Sequence, residues 1–262
     1  MEAEISSAVD QAGRLVAEST YVVALCGAGV SVDSGVPTFR GPDGLWTRLG
    51  QPSTHSYQVF LADPAAWWRQ YLSRDADPAR AELRDAIARA QPNPAHHALV
   101  DLERMGVLRH TITQNVDGLH RKAGSASLIE MHGNRTMNRC ISCEARWPRE
   151  ETVIGDYLPT CPFCAGLVKS DTVMFGEPVP RGVLARCREE VERSDCMLLV
   201  GTSATVMPAA MFPENVEARG GILIEINPEP TVLSDRADVV LRASAGVATP
   251  ALARRLRELL GR

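Results

Sequence analysis

Two pairs of cysteines, Cys140-x-x-Cys143 and Cys161-x-x-Cys164, carry the most specific chemical signal in the sequence. Each pair has the spacing of a zinc knuckle, and four thiolates complete a tetrahedral zinc ion with no position left for water or substrate. They predict one structural zinc per chain. Gly27-Ala28-Gly29-Val30-Ser31 follows an apolar run directly, so its small side chains would let backbone amides approach a phosphate at a strand-to-helix turn. An ordinary dinucleotide fingerprint also expects an acidic ribose ligand about 20 positions on. That region reads Arg40-Gly41-Pro42-Asp43-Gly44-Leu45-Trp46 instead, which disfavours a hydride-transferring dehydrogenase. His132 lies in Glu130-Met131-His132-Gly133, and its imidazole, with an ordinary pKa near 6.5, suits a general base. By itself a lone histidine is more often structural than catalytic, so its company must decide.

These residues need strands that end where they begin. Runs rich in Val, Ile and Leu recur at 21–26, 107–113, 196–200, 221–226 and 237–241, the pattern of buried parallel strands alternating with helices. The first four runs end in polar or glycine-rich residues: Gly27-Ala28-Gly29, Gln114-Asn115, Gly201-Thr202-Ser203 and Asn227-Pro228-Glu229. In open parallel sheets ligands bind beyond the carboxyl ends of the strands, so these segments are expected to meet in one crevice. Asp63-Pro64, Asp77-Pro78 and Asn93-Pro94 each put a capping side chain before a proline and predict three helix starts. The third helix carries His96, Leu99, Leu102 and Met105 on one stripe and stops at Gly106. From 134 to 171 the pattern changes to cysteines, prolines and short polar segments, as in a small separate lobe.

The 262 residues, 45% hydrophobic and 23% charged, allow a substantial globular core and argue against disorder. A net charge of -4 gives no basic excess, so direct nucleic-acid binding is not expected. No apolar run approaches the roughly 20 residues that span a bilayer, and Glu2 and Glu4 sit where a signal peptide needs basic charge. A cytoplasmic, reducing compartment is the expectation, with no membrane partner. Cys26, Cys187 and Cys196, in or beside apolar runs, read as small buried hydrophobes.

The segment from Gly27 to Trp46 closely resembles the opening cofactor motif of the sirtuin (Sir2) family. In the same order, Thr113 to His120, Met131-His132-Gly133, the two cysteine pairs, Val173 to Glu177, Gly201-Thr202-Ser203 and Asn227-Pro228-Glu229 are similar to further sirtuin motifs, covering about 21–245. The resemblance implies a discontinuous Rossmann-like NAD-binding domain over 1–40, 93–133 and 172–262, a cofactor loop and helical insertion over 41–92, and a small zinc-binding lobe over 134–171. It implies an NAD-dependent protein-lysine deacylase that releases nicotinamide and O-acyl-ADP-ribose, with acyl-lysine proteins or peptides as partners. By the same matching, Gly27, Ala28 and Gly29 lie against the pyrophosphate, while Phe39, Arg40 and Trp46 belong to the closing loop. Gln114, Gly201, Thr202, Ser203, Asn227, Glu229 and the backbone of Ala245 contact the rest of the cofactor. Asn115 and Asp117 position the nicotinamide ribose and amide, and His132 is the general base on the ribose hydroxyls. Val173, Phe175, Gly176 and Glu177 form the edge that pairs with the substrate backbone.

Tyr71 and Arg74, at helical spacing after Asp63-Pro64, share one helix face. The same pair marks sirtuins that prefer acidic acyl groups, since a guanidinium fork suits a carboxylate, and it predicts succinyl- or malonyl-lysine as substrate. The alternative is that both are ordinary residues of an amphipathic helix anchored by Trp67 and Trp68, in a deacetylase or long-chain deacylase. An apparent extra helix through 78–90 could displace the pair from the acyl channel. A mono-ADP-ribosyltransferase is a further alternative, which retention of Asn115 and His132 disfavours, and an NAD-binding sensor without turnover is disfavoured by the intact motifs.

Overall fold

The structure, a computed structural model, describes residues 2–41, 44–72, 78–151 and 158–262. Six parallel strands form the main sheet: β1 (Val22–Cys26), β2 (Leu108–Thr113), β3 (Leu128–Glu130), β7 (Cys196–Val200), β8 (Ile222–Ile226) and β9 (Val239–Leu241). Their order, β3-β2-β1-β7-β8-β9, reverses direction between β1 and β7, so the loops after those two strands diverge and open a crevice at their carboxyl ends.

Every residue of β1 and β7 is buried because helices cover both faces of the sheet. Val22, Ala24 and Cys26 join the cluster built by α1 (Glu2–Glu18), α6 (Pro94–Arg104) and α10 (Ala245–Leu260). The intervening Val23 and Leu25 join the cluster under α8 (Arg181–Arg193) and α9 (Met211–Glu217). Cys26, Cys196 and Cys187 lie inside these clusters as apolar filler, as their sequence neighbours predict. Four of the five expected strands match within a residue; β9 starts two residues later, at Val239, and the three-residue β3 has no apolar run to announce it.

The proline rule holds where it can be checked. Helix α4 (Pro64–Leu72) starts at Pro64, with Asp63 Oδ1 accepting from the Ala66 amide at 2.8 Å. Helix α6 starts at Pro94, where Asn93 accepts from the Ala95 amide and His96 closes a reciprocal cap, and Gly106 ends it with φ +68°. Helix α5 (Pro78–Arg89) starts at Pro78; its expected cap, Asp77, lies outside the described residues.

The small lobe contains an antiparallel sheet of β4 (Met137–Cys140), β5 (Arg146–Pro148) and β6 (Val168–Ser170) in the order β5-β4-β6. It shares one hydrophobic cluster with the helical insertion: Phe60 of α3 (Ser56–Ala62) and Trp67 and Trp68 of α4 pack on Cys140, Trp147, Cys161 and Val168. The Trp68 indole N–H donates to the Val168 carbonyl at 2.9 Å, so this partly polar ring is buried with its donor satisfied. Helix α5 instead packs Leu83 and Ile87 against Val36, Ala90 and Leu119, and touches α2 (Leu45–Leu49) through an Arg48–Glu82 ion pair of 2.5 Å. Among the described residues no helix is long and apolar enough to cross a membrane.

Candidate active site and metal centre

The four cysteines of the small lobe converge, with every Sγ within 4.8 Å of the others. Cys140 and Cys164 are 3.5 Å apart and Cys143 and Cys161 3.6 Å, close to the about 3.8 Å between thiolates sharing tetrahedral zinc with 2.3 Å bonds. None forms a disulfide. The amides of Ser142 and Cys143 point at Cys140 Sγ and that of Phe163 at Cys161 Sγ, so each knuckle aims backbone donors at a thiolate. Burial opposes ionisation of Cys140, but the amides of Cys143 and Ser142, together with the Cys164 and Cys143 thiols, outweigh it and bring the thiol down to about 7. At Cys164 the Gly166 amide favours the thiolate, yet crowding by Cys140 and Cys143 prevails and pushes it up to about 12. Holding all four sulfurs as thiolates in this space would require a cation. The donor set is that of structural zinc, with no coordination position left for chemistry.

The crevice between β1 and β7 is a cleft of about 1540 Å³. That exceeds the roughly 300–1,000 Å³ of an ordinary small-ligand pocket and leaves room for a dinucleotide and a second substrate. Gly27, Ala28 and Gly29 line it at the start of a 3₁₀ turn (Ala28–Ser34). The two glycines answer to chain packing first: a Cβ on Gly27 would lie 2.7 Å from the Gly201 carbonyl oxygen, and one on Gly29 2.7 Å from Gly201 Cα. Only with both side chains absent do the loops after β1 and β7 close side by side.

Gln114, Asn115 and His132 line the cleft from β2 and the turn after β3, and Thr202, Ser203, Asn227 and Glu229 line it from β7 and β8. The Gln114 side-chain amide donates to Thr202 Oγ1 at 2.9 Å, joining the two walls. Phe39 and Arg40 form a lip with Trp46: Phe39 packs on Trp46 at 4.9 Å, Trp46 meets Phe175 edge-on at 5.3 Å, and the Arg40 guanidinium lies 5.3 Å over Trp46. Arg40 also donates to Thr205, so the loop carrying it reaches across to the segment after β7. Val173, Phe175 and Gly176 border the opening.

His132 Nδ1 sits 3.1 Å from the Gln114 carbonyl oxygen. A carbonyl only accepts, so Nδ1 carries the proton and Nε2 is left with its lone pair. Burial lowers the His132 pKa, and the Gln114 carbonyl opposes that shift only in part.

Of the described residues expected to contact NAD or substrate, Asp117 and Ala245 stand off the cleft lining, and Glu177 lines it with its carboxylate held by the protein. Asp117 is buried behind the cleft wall and does not line it: Oδ2 accepts from Ser31 Oγ at 2.8 Å and Oδ1 from the Leu119 amide at 2.9 Å. Glu177 borders the cleft, but its carboxylate is held by Arg139 at 2.5 Å, Lys169 at 3.0 Å and the Met174 amide at 2.8 Å. Ala245 is buried at the start of α10, and its neighbour Ser244 faces the cleft. Tyr71 lines the cleft, stacked on Trp67 at 4.7 Å, and its hydroxyl accepts from Arg149 at 3.0 Å. Arg74 lies outside the described residues. Helix α5 adds Leu83, Ala86 and Arg89 to the wall, so the extra helix is part of the cleft.

The sequence reading missed a buried relay under Asn115. Asn115 Nδ2 donates to the Gly27 carbonyl at 3.0 Å and to Ser31 Oγ at 3.2 Å. His96 Nδ1 accepts from the Asn93 amide at 3.2 Å, which leaves Nε2–H facing Ser31 Oγ at 3.5 Å. The signal was present in Asn93-Pro94-Ala95-His96, a capping-box spacing that turns the histidine back toward the helix start.

Burial pulls His96 down to about 3, with help from neighbouring His120, and His120 down to about 4. Both stay neutral in the fold at pH values where the unfolded chain, with histidine pKa near 6.5, is protonated. Stability is therefore full above pH 6.5 and is lost as pH falls toward the folded values, at about 1.4 kcal/mol per pH unit for each histidine. Urea unfolding is expected to give a lower free energy at pH 5 than at pH 7, and His120→Leu should flatten that slope; a stability unchanged between the two would contradict the neutral assignment.

An open parallel sheet with a crevice at its reversal point and an inserted four-cysteine lobe defines the class of protein. The Sir2 family profile matches residues 27–208. NAD-dependent protein deacylase 1 of Archaeoglobus fulgidus is 45% identical over 94% of this chain and 97% of its own. NAD-dependent protein deacylase of Pyrococcus abyssi is 42% identical over 95% and 98%. A solved Sir2 homolog–NAD complex superposes with a TM-score of 0.79 at 44% identity, covering 96% of this chain and 94% of that one. A Sir2 complex with a peptide and NAD+ gives 0.73 at 32% identity, covering 95% and 96%. The chain belongs to the Sir2 family.

Proposed function

We propose that this chain is an NAD-dependent protein-lysine deacylase that removes acetyl groups and, through Tyr71 and Arg74, succinyl and malonyl groups. The observation that carries the reading is the convergence of the glycine turn, Gln114, Asn115, Thr202, Asn227 and His132 on one cleft bordered by Val173 and Phe175. NAD, when bound, supplies the ribose that accepts the acyl group, so that acyl-lysine, NAD and water give lysine, nicotinamide and O-acyl-ADP-ribose.

In this reading the turn of Gly27 to Gly29 and the loop of Gly201 to Ser203 hold the phosphates, and Asn227 and Glu229 the adenosine ribose. Asn115 orients the nicotinamide ribose and amide. Asp117 contributes from behind, fixing the Ser31 hydroxyl that Asn115 also holds. His132 Nε2 takes a proton from a ribose hydroxyl, which its neutral state and its Nδ1–H to Gln114 prepare it to do. Val173 to Gly176 pair main chain to main chain with the substrate, while Glu177 anchors that segment from inside. The Phe39, Arg40 and Trp46 lip excludes water once both substrates are in. Zinc takes no part in the chemistry.

Tyr71 on the cleft wall supports the acidic-acyl reading, and apolar lining by Trp67, Leu83 and Ala86 supports the alternative of a plain or long-chain deacylase. A panel of acetyl-, succinyl-, malonyl- and long-chain acyl-lysine peptides, each with and without NAD, decides between them. Succinyl or malonyl turnover should at least equal acetyl turnover, and Tyr71→Phe should lower only the acidic substrates, by about tenfold for one charge-assisted hydrogen bond. Equal loss on all substrates, or no acidic preference in the parent protein, sinks the acidic-acyl part.

A further inference from the structure

The turn that carries His132 is anchored from the small lobe by a chain of buried charges. Asp171, just past β6, is the hub: Oδ2 accepts from the Asn134 amide at 2.9 Å and meets Arg146 of β5 at 2.5 Å, and Oδ1 lies 3.2 Å from Arg139 of β4. Arg146 also reaches Glu130, the residue two before His132, at 3.5 Å. Glu130 in turn accepts from the Asn134 side chain at 2.6 Å, so one carboxylate pair brackets residues 130–134. Gly133 has φ +79°, and a Cβ there would lie 2.0 Å from the Asp171 carbonyl oxygen, which shows how closely the two segments are pressed together.

The same hub touches the peptide-binding edge of the cleft. The Val173 amide donates to the His132 carbonyl at 2.9 Å, and Arg139 passes from Asp171 to Glu177, whose second oxygen holds the Met174 amide. Lys169, fully buried, closes the chain on Glu177 at 3.0 Å. Three strands of the four-cysteine lobe thus each send a cation to the acids that fix the His132 turn and the 173–177 segment: Arg139 from β4, Arg146 from β5 and Lys169 from β6.

We propose that Arg146 and Asp171 are positioning residues, which carry the folded state of the four-cysteine lobe to the His132 imidazole. The inference rests on the role given to His132 above. It assigns the lobe a part in turnover that needs no chemistry at the metal: the lobe sets where three cations stand, and these set the turn. A displacement of the imidazole by about 1 Å is enough to cost one to two orders of magnitude in rate.

Arg146 is the residue to change because the acids it pairs keep other partners. Glu130 retains Arg121 at 2.7 Å and Asp171 retains Arg139 at 3.2 Å, so Arg146→Met leaves no buried carboxylate without a cation. The zinc-loaded full chain is compared with Arg146→Met, Arg146→Lys and Asp171→Asn for kcat, KM, NAD affinity without peptide, zinc content and the imidazole nitrogen signals of His132. Arg146→Met should keep one zinc and the parent NAD affinity, lose about tenfold in kcat with little change in the KM for peptide, and show His132 as a mixture of tautomers instead of Nδ1–H alone. Arg146→Lys should recover most of the kcat and the single tautomer. Parent kcat and a parent imidazole spectrum in Arg146→Met overturn the proposal. If that variant fails to load zinc, Asp171→Asn decides on the same two readouts, and loss of zinc in both means that the network holds the lobe itself, which also overturns a positioning role. Absence of deacylation in the parent chain would strike the proposed function, while the tautomer signal would still judge this inference.

Discussion

Replacing His132 with alanine is expected to lower NAD-dependent deacylation by roughly a thousandfold, within the range general bases contribute, while zinc content and thermal stability stay near those of the parent. The side chain spends one hydrogen bond on the Gln114 carbonyl and otherwise faces the cleft, and its contact with Val173 runs through the backbone, which alanine preserves. NAD binding should survive as well, because the turn at Gly27 to Gly29 and the loop at Gly201 to Ser203 are untouched. The pH profile of kcat should report the same imidazole. Burial lowers the His132 pKa, so the neutral, base-competent form persists below pH 6.5 and the acid limb of kcat should fall below that value. Activity that survives the substitution, or an acid limb above pH 6.5, takes His132 out of this role.

Removing the metal is expected to be as damaging by a different route. Strong chelation, or Cys161→Ala, should unfold the small lobe and abolish activity although zinc performs no step. Cys140 and Cys161 are buried in the same cluster as Phe60, Trp67 and Trp68, so loss of the knuckles also strips the floor from under the helix that brings Tyr71 to the cleft. The parallel-sheet domain has its own two clusters and should keep its secondary structure. Circular dichroism and tryptophan fluorescence, measured with zinc content and activity, separate these effects. Full activity in a demonstrably metal-free sample contradicts the assignment.

The sheet was legible because a strand buried on both faces must be apolar at every position, as β1, β7 and β8 nearly are. Proline after a capping residue fixed the starts of α4, α5 and α6 to the residue. The short β3, Leu128–Glu130, was not legible, since only two of its three residues are apolar and the third, Glu130, is a buried acid paired with Arg121 and Arg146. The strands of the small lobe are three or four residues long, and the buried ion pairs of Arg139, Arg146 and Lys169 that accompany them leave no periodic pattern. Sequence motifs carry no signal for the direction of the Asp117 and Glu177 carboxylates. Both turn away to satisfy buried donors, Ser31 and the Leu119 amide in one case, Arg139, Lys169 and the Met174 amide in the other. Ser31 and His96 escaped notice for the complementary reason: a hydroxyl in a turn and a histidine on a helix stripe become a relay only when two distant segments meet.

The distance from His132 Nε2 to the nicotinamide ribose decides whether this histidine is the base. A crystal structure of this chain with an unreactive NAD analogue and an acyl-lysine peptide measures it directly. The acyl-lysine should thread between Val173 and the cofactor loop, with His132 Nε2 within about 3.2 Å of a hydroxyl of the nicotinamide ribose or joined to it by one water. An imidazole turned away from that ribose, with no water between them, would contradict it.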